Sequence, residues 1–121
     1  MRQDIGRRWL KALRSNDYAQ GKNGLRDVDD KFCCLGVLCD LYFEEKGLEW
    51  ADEITGDDRF YRIPGWGSDF LPKFVQEWAG MKTNDGELSS NEGVTTLSSM
   101  NDDGHSFGTI AEMIEENMDR L

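Results

Sequence analysis

The chain has 121 residues, 38% hydrophobic and 31% charged, with a formal charge of −10, which fits one domain able to bury a core without metal or disulfide staples. So acidic a body argues against general affinity for DNA, RNA or anionic membranes. The charge is unevenly spread: residues 1–31 hold eight of the 14 Lys and Arg but five of the 24 Asp and Glu, so a local basic face can still hold a small anion.

From Arg2 to Ser15, Ile5, Trp9, Ala12 and Leu13 share one arc, with Arg7, Arg8, Lys11 and Arg14 on the opposite one. This predicts an amphipathic helix with a cationic outer face. It is either a solvated surface or an anion-binding rim. The segment 15–28 is rich in Asn, Asp and Gly, which predicts a turn through a short hairpin around Lys22, Asn23 and Gly24. Tyr18, Gln20, Lys22 and Arg26 fall on that turn, where Arg can clamp a phosphate and Tyr can stack on a base. An ordinary exposed loop has the same composition.

Phe32 to Phe43 reads FCCLGVLCDLYF. On a helical wheel its apolar side chains cover nearly the whole circumference, leaving a wedge of Cys33, Gly36, Asp40 and Glu44, so the helix must be surrounded. Asp29 and Asp30 suit its N-terminus, and Lys46 with Gly47 its C-terminus. The expectation is a central helix from Asp30 to Glu45. Cys33, Cys34 and Cys39 all lie on it, at spacings that no helix closes into a disulfide, so free thiols are expected. With a single histidine, His105, a four-ligand zinc site is not expected.

Between 47 and 69 helical periodicity gives way to aromatics and glycines, which suggests short β pieces, one of them from Asp58 to Ile63, ended by Pro64. Arg59, Arg62 and the rings there form either a base-stacking wall or a lid over the core. Phe70 to Ala79 recovers helical spacing, with Asp69 as cap, Pro72 in the first turn and Gly80 as stop. The segment 81–93 reads as a loop or weak hairpin. Val94 to Met100 reads as one or two helical turns that run into Asn101, Asp102 and Gly104. Ser106 caps a last helix whose stripe of Phe107, Ile110, Ala111, Ile114 and Met118 is expected to dock on the central helix. Its outer face carries Glu112, Glu115, Glu116 and Asp119, which speaks against DNA reading. The fold expected is therefore a single domain, 1–121, of mainly helical α+β class: a buried helix covered by amphipathic helices and short β pieces. No apolar run is long enough for an export signal or membrane span, so the protein is expected to stay in the cytoplasm.

Two stretches, WLKALRSNDYAQGKNGLRDVDDKFCCLGVLCDL and TTLSSMNDDGHSFGTIAEMIEEN, resemble a group of small accessory proteins of tailed bacteriophages. The group's pattern runs ALRS, YxQG, LR, DxFCCLGVLCDL and LNDxGxSFxEIAxxIE. The chain departs from it at Thr109, where the group carries the glutamate that completes a capping box with Ser106. The resemblance implies a viral origin, action inside an infected bacterium, and a dispensable accessory role; small phage proteins of that kind often blunt host defences, an analogy of context rather than of residues. Three classes of function remain. A cysteine-dependent hydrolase would use Cys33 or Cys34, but Asp40 and Glu44 share the wedge with Cys33 and oppose a thiolate. An inhibitor of a host defence protein would work through the acidic surface. The reading ranked first is a non-catalytic sponge for a nucleotide immune signal, without cofactor or metal. Its ligand-binding candidates are Arg7, Arg14, Tyr18, Gln20, Lys22, Arg26, Asn101 and Asp102. The expected partner is a small anionic nucleotide, with a host defence protein as the alternative, and self-association is compatible with the sequence.

Overall fold

The computed structural model describes residues 1–27, 29–50 and 70–121. The expected strand from Asp58 to Ile63, the Arg59 and Arg62 wall and the Asp69 cap lie outside these residues. Among those described the fold is mainly helical α+β.

Helix α1 (Gln3–Arg14) follows its predicted arc: Ile5, Gly6, Trp9, Leu10 and Leu13 are buried, and Lys11 and Arg14 lie in the last turn. Trp9 is fully buried, and its indole Nε1 donates to the Cys34 carbonyl at 2.9 Å. The ring's apolar area and its one polar atom both fasten α1 to the central helix.

That helix, α2 (Cys34–Lys46), is buried nearly all round, through Cys34 to Cys39, Leu41 and Phe43, and ends at Gly47 with φ 66°. It starts four residues later than Asp30, and neither Asp29 nor Asp30 caps it. The Asp27 carboxylate holds the N–H groups of Asp29 and Lys31 in a turn, and Asp30 has φ 58°, which no right-handed helix accommodates. Cys33 is the cap instead, its sulfur accepting from the Gly36 N–H at 3.4 Å.

The expected hairpin at Lys22 to Gly24 is not formed. Strand β1 (Ala19–Gln20) pairs in parallel with β2 (Lys31–Phe32), and the loop between them returns through an antiparallel bridge of Arg26 to Phe32. Strand β2 thus serves two neighbours: the Phe32 carbonyl accepts from Gly21 N at 2.7 Å, while the Lys31 carbonyl accepts from Asp27 N at 2.9 Å.

Helix α3 (Lys73–Ala79) begins after Pro72 rather than at Phe70. The chain is extended there, with Leu71 N donating to Asn84 O, and proline biases the residue before it away from helix. Gly80, with φ 68°, closes α3 as expected. Strands β3 (Glu87–Ser90) and β4 (Gly93–Thr96) form an antiparallel hairpin, so Val94 to Thr96 is strand, not helix. Only from Leu97 does helix α4 (Leu97–Asp102) run, capped by the Thr96 hydroxyl, which accepts from Ser99 N.

Gly104, with φ 98°, turns the chain into α5 (Phe107–Glu116), whose cap is Ser106, accepting from Thr109 N at 3.2 Å. The Phe107, Ile110, Ala111 and Ile114 stripe is buried, but α5 packs chiefly on α1 and α4 rather than on α2. Helices α1 and α4 each contact both α5 and the central helix. A short 3-10 turn, Met118–Arg120, follows. Cys33, Cys34 and Cys39 are buried and form no disulfide with one another.

Candidate functional site

The polar residues of the predicted site divide into two groups with different employment. Asn101 is fully buried, and its amide is completely used. Its Oδ1 accepts from Gln20 Nε2 at 2.9 Å and from Cys34 N at 3.2 Å, while its Nδ2 donates to the Gly21 carbonyl at 2.8 Å and to Asp102 Oδ1 at 3.4 Å. Gln20 also donates to the His105 carbonyl and accepts, through Oε1, from Phe107 N. Cys34 and Phe107 are the first residues of α2 and α5, whose N–H groups have no partner inside their own helices. Gln20 and Asn101 supply those partners, and Asp102 accepts from Asn23 N at 2.9 Å. These three residues stitch the 19–24 loop to two helix N-termini; the amides of Gln20 and Asn101 and Oδ1 of Asp102 are engaged within the fold, and Asp102 lines a separate hollow with Asn23, Gly24 and Cys33.

Replacing Asn101 by Ala strands the Cys34 N–H and the Gly21 carbonyl in a buried setting. Each unpaired group costs about 1–3 kcal/mol, so urea unfolding should show a loss of about 3 kcal/mol or more. A loss below about 1 kcal/mol would contradict this role.

The second group lies on or beside α1. Arg7, Lys11 and Arg14 follow one another at helical spacings of four and three and line one hollow of about 420 Å³ with Leu10, Glu115 and Met118. Arg14 pairs with Glu115 at 2.8 Å, and Arg7 donates to the neutral Gln3 side chain at 3.2 Å. Lys11 is exposed and makes no ion pair among the described residues. Three cations thus face one carboxylate.

Lys11 also borders a second, adjoining groove of about 520 Å³, which contains Tyr18. Its floor is Ala12 and Leu41, and Asp17, Glu44 and Glu45 stand round it. Tyr18 donates its hydroxyl to Asp40 Oδ2 at 2.6 Å, and its ring meets Phe32 edge-on at 5.0 Å. Burial first, and then this bond and the charges of Asp40, Glu44 and Asp17, push the Tyr18 pKa well above the ordinary phenol value. Arg8 pairs with Glu45 at 2.7 Å and, together with a hydrogen bond from Trp78, holds that carboxyl below its usual range.

The other predicted residues lie elsewhere. Arg26 grips Asp30 at 2.7 Å and lies over the rings of Phe32 and Trp50, at 5.1 and 5.5 Å. Lys22 is exposed beside Gly104. Neither lines a hollow with Arg7 and Arg14. The structure therefore brings together Arg7 and Arg14, sets Tyr18 next to them across Lys11, and leaves Gln20, Lys22, Arg26, Asn101 and Asp102 out of that surface. Lys11 had been read only as part of the cationic face, although its spacing from Arg7 and Arg14 carried the signal. Asp17, Glu44 and Glu45 had no comparable signal, because a groove between α1 and α2 is a tertiary feature.

Cys34 and Cys39 are fully buried, and desolvation raises both thiols well above the ordinary value. Cys33 is buried as well. At Cys34 and Cys39 this desolvation favours the neutral thiol and opposes use as a nucleophile. Among the described residues no group of His, Cys, Asp and Glu is arranged to hold a metal, and no helix is long and apolar enough to cross a membrane.

A family model described as a domain of unknown function, DUF8296, matches residues 1–118. No curated protein matches the chain, and no solved structure does.

Proposed function

We propose, from the premise that the chain belongs to the DUF8296 family, that it is a binding protein which captures a nucleotide and releases it unchanged. The phosphate is held by Arg7, Lys11 and Arg14, and the base lies in the groove beside Tyr18. The observation that supports this reading is the pair of adjoining hollows that share Lys11, one cationic and one with an apolar floor. Their volumes fall within the range of small-molecule sites. The acidic body repels an anion at long range, so affinity must come from this local cluster, through charge-assisted hydrogen bonds. The buried cysteines favour binding over chemistry. The resemblance to phage accessory proteins supplies the setting: a sponge for a nucleotide immune signal in the cytoplasm of an infected bacterium.

Calorimetry against cyclic di- and trinucleotides and ADP-ribose derivatives tests the reading. A micromolar ligand is expected, recovered intact from the heated complex. Lys11→Ala should weaken it by about tenfold to a hundredfold, the equivalent of about 1.5–3 kcal/mol for a hydrogen bond to a charged group. Its melting temperature should stay unchanged, since Lys11 is exposed and has no ion-pair partner among the described residues. Recovery of a cleaved product would replace the sponge by an enzyme.

A second reading is favoured by the outer face of α5 and the turn after it, where Glu112, Glu115, Glu116 and Asp119 are all exposed. It is inhibition of a host defence protein through this acidic ridge. If no member of the panel binds and a pull-down from host lysate recovers one defence protein, released by charge reversal at Glu112 and Glu116, this second reading takes the place of the first.

A further inference from the structure

We infer that the Tyr18 groove selects guanine over the other bases, an inference that rests on the nucleotide reading above. The hydrogen-bonding groups that the groove leaves open are almost all acceptors. The Tyr18 hydroxyl has given its proton to Asp40, so its oxygen offers a lone pair. Ser15 has given its proton to the Ala12 carbonyl and accepts from Asp17 N. Glu45 is occupied by Arg8 and by the Trp78 indole. Asp17 and Glu44 line the groove, are exposed, and make no ion pair among the described residues. The donors are Lys11, on the ridge toward the cationic hollow, and the guanidinium of Arg8, which Glu45 holds at one end of the groove.

Such a groove divides a nucleotide into two ends. Carboxylates around Tyr18 repel the phosphate, which is left to Arg7, Lys11 and Arg14. They attract a base edge that carries donors. Guanine alone among the common bases places two adjacent donors, N1–H and the N2 amino group, on its pairing edge, and these match the two oxygens of one carboxylate. Adenine and cytosine set a ring-nitrogen acceptor beside their amino group, so one carboxylate oxygen would face a lone pair. Uracil flanks its single N–H with two carbonyls. The floor of Ala12 and Leu41 and the edge of the Tyr18 ring supply apolar contact that any base can use, so discrimination falls to Asp17 and Glu44. The field acting on Tyr18 agrees with this: the charges that raise its pKa, after burial, are those of Asp40, Glu44 and Asp17.

The test is calorimetry of the full chain with GMP, IMP and AMP at one ionic strength, since the three carry the same phosphate and differ only in the pairing edge. GMP should bind at least about tenfold more tightly than AMP, the discrimination of a good bidentate pair. IMP, which keeps N1–H and lacks the N2 amino group, should fall between them. Glu44→Gln combined with Asp17→Asn should remove most of the GMP preference, with AMP bound as tightly or more tightly once the two charges that repel its phosphate are gone, and with the melting temperature unchanged. Equal binding of GMP and AMP, or a preference for AMP, overturns the guanine inference and leaves the Lys11-dependent reading standing. A GMP preference that survives the double variant overturns the assignment to these carboxylates. If none of the three nucleotides binds and the wider panel is also silent, the nucleotide reading falls and the inference falls with it.

Discussion

Gly36→Ala should abolish cooperative folding, although the same change in the middle of an ordinary helix stabilises by about 1 kcal/mol. Gly36 lies in the first turn of α2, where the helix crosses the loop that precedes it. A Cβ there would sit 1.7 Å from the Leu25 carbonyl oxygen and 2.6 Å from its carbon. Both are backbone atoms, so no rotamer change relieves the overlap. Moving the loop is costly too: Leu25 is fully buried, and its carbonyl accepts from Cys33 N at 3.3 Å. The overlap exceeds that of an added methylene in a packed core, which itself costs about 1–3 kcal/mol, so a loss of about 4 kcal/mol or more is expected. Gly108 provides the control. It lies in α5, and the nearest atom to an added Cβ is Ser106 Oγ at 3.7 Å, so Gly108→Ala should be neutral or mildly stabilising. Thermal melts of both variants decide the point. A Gly36→Ala protein that melts within a few degrees of wild type would show that α2 and the loop do not meet as described.

Leu38→Asp should also unfold the domain. Leu38 is fully buried on α2 among Leu35, Val37 and Cys39, and an aspartate there has neither water nor a cation to offset its charge. A buried carboxylate in such a place either stays ionised at great cost or takes up a proton and leaves a buried polar group. Either way the loss belongs among the largest that single substitutions produce, about 4–5 kcal/mol. The graded partner Leu38→Ala should cost about 2–5 kcal/mol through the cavity it opens and still fold. Urea titration separates the two. A soluble Leu38→Asp chain with a sharp unfolding transition would remove α2 from the centre of the protein.

These two positions mark what could be read without the fold and what could not. That Leu38 is inside follows from the apolar run alone, because a helix that is hydrophobic on every side has no face to give to water. The arc of α1, the buried stripe of α5, the stops at Gly47 and Gly80, the Ser106 cap and the lack of a disulfide among the three cysteines follow in the same way. Each depends on residues within a turn or two of one another, and the rules that govern them are local. Gly36 looks like an ordinary gap in the wedge until Leu25 is placed against it.

The same limit explains the rest. The start of α2 was misplaced because an aspartate pair looks like a cap, whereas Asp27 draws that segment into a turn and β1 claims Lys31 and Phe32. Gln20, Asn101 and Asp102 looked like ligand-binding groups because polar residues on loops often are. Their partners, the N–H groups of Cys34 and Phe107 among them, lie 67 and 87 residues away. Apart from the starts of α2, α3 and α4, the sequence by itself therefore determined which segments are helices and which faces they bury, since periodicity and capping are properties of neighbouring residues. Only the tertiary structure decided which polar side chains are spent on orphaned backbone groups and which cations are left facing a hollow. Those outcomes depend on which distant backbone each side chain meets.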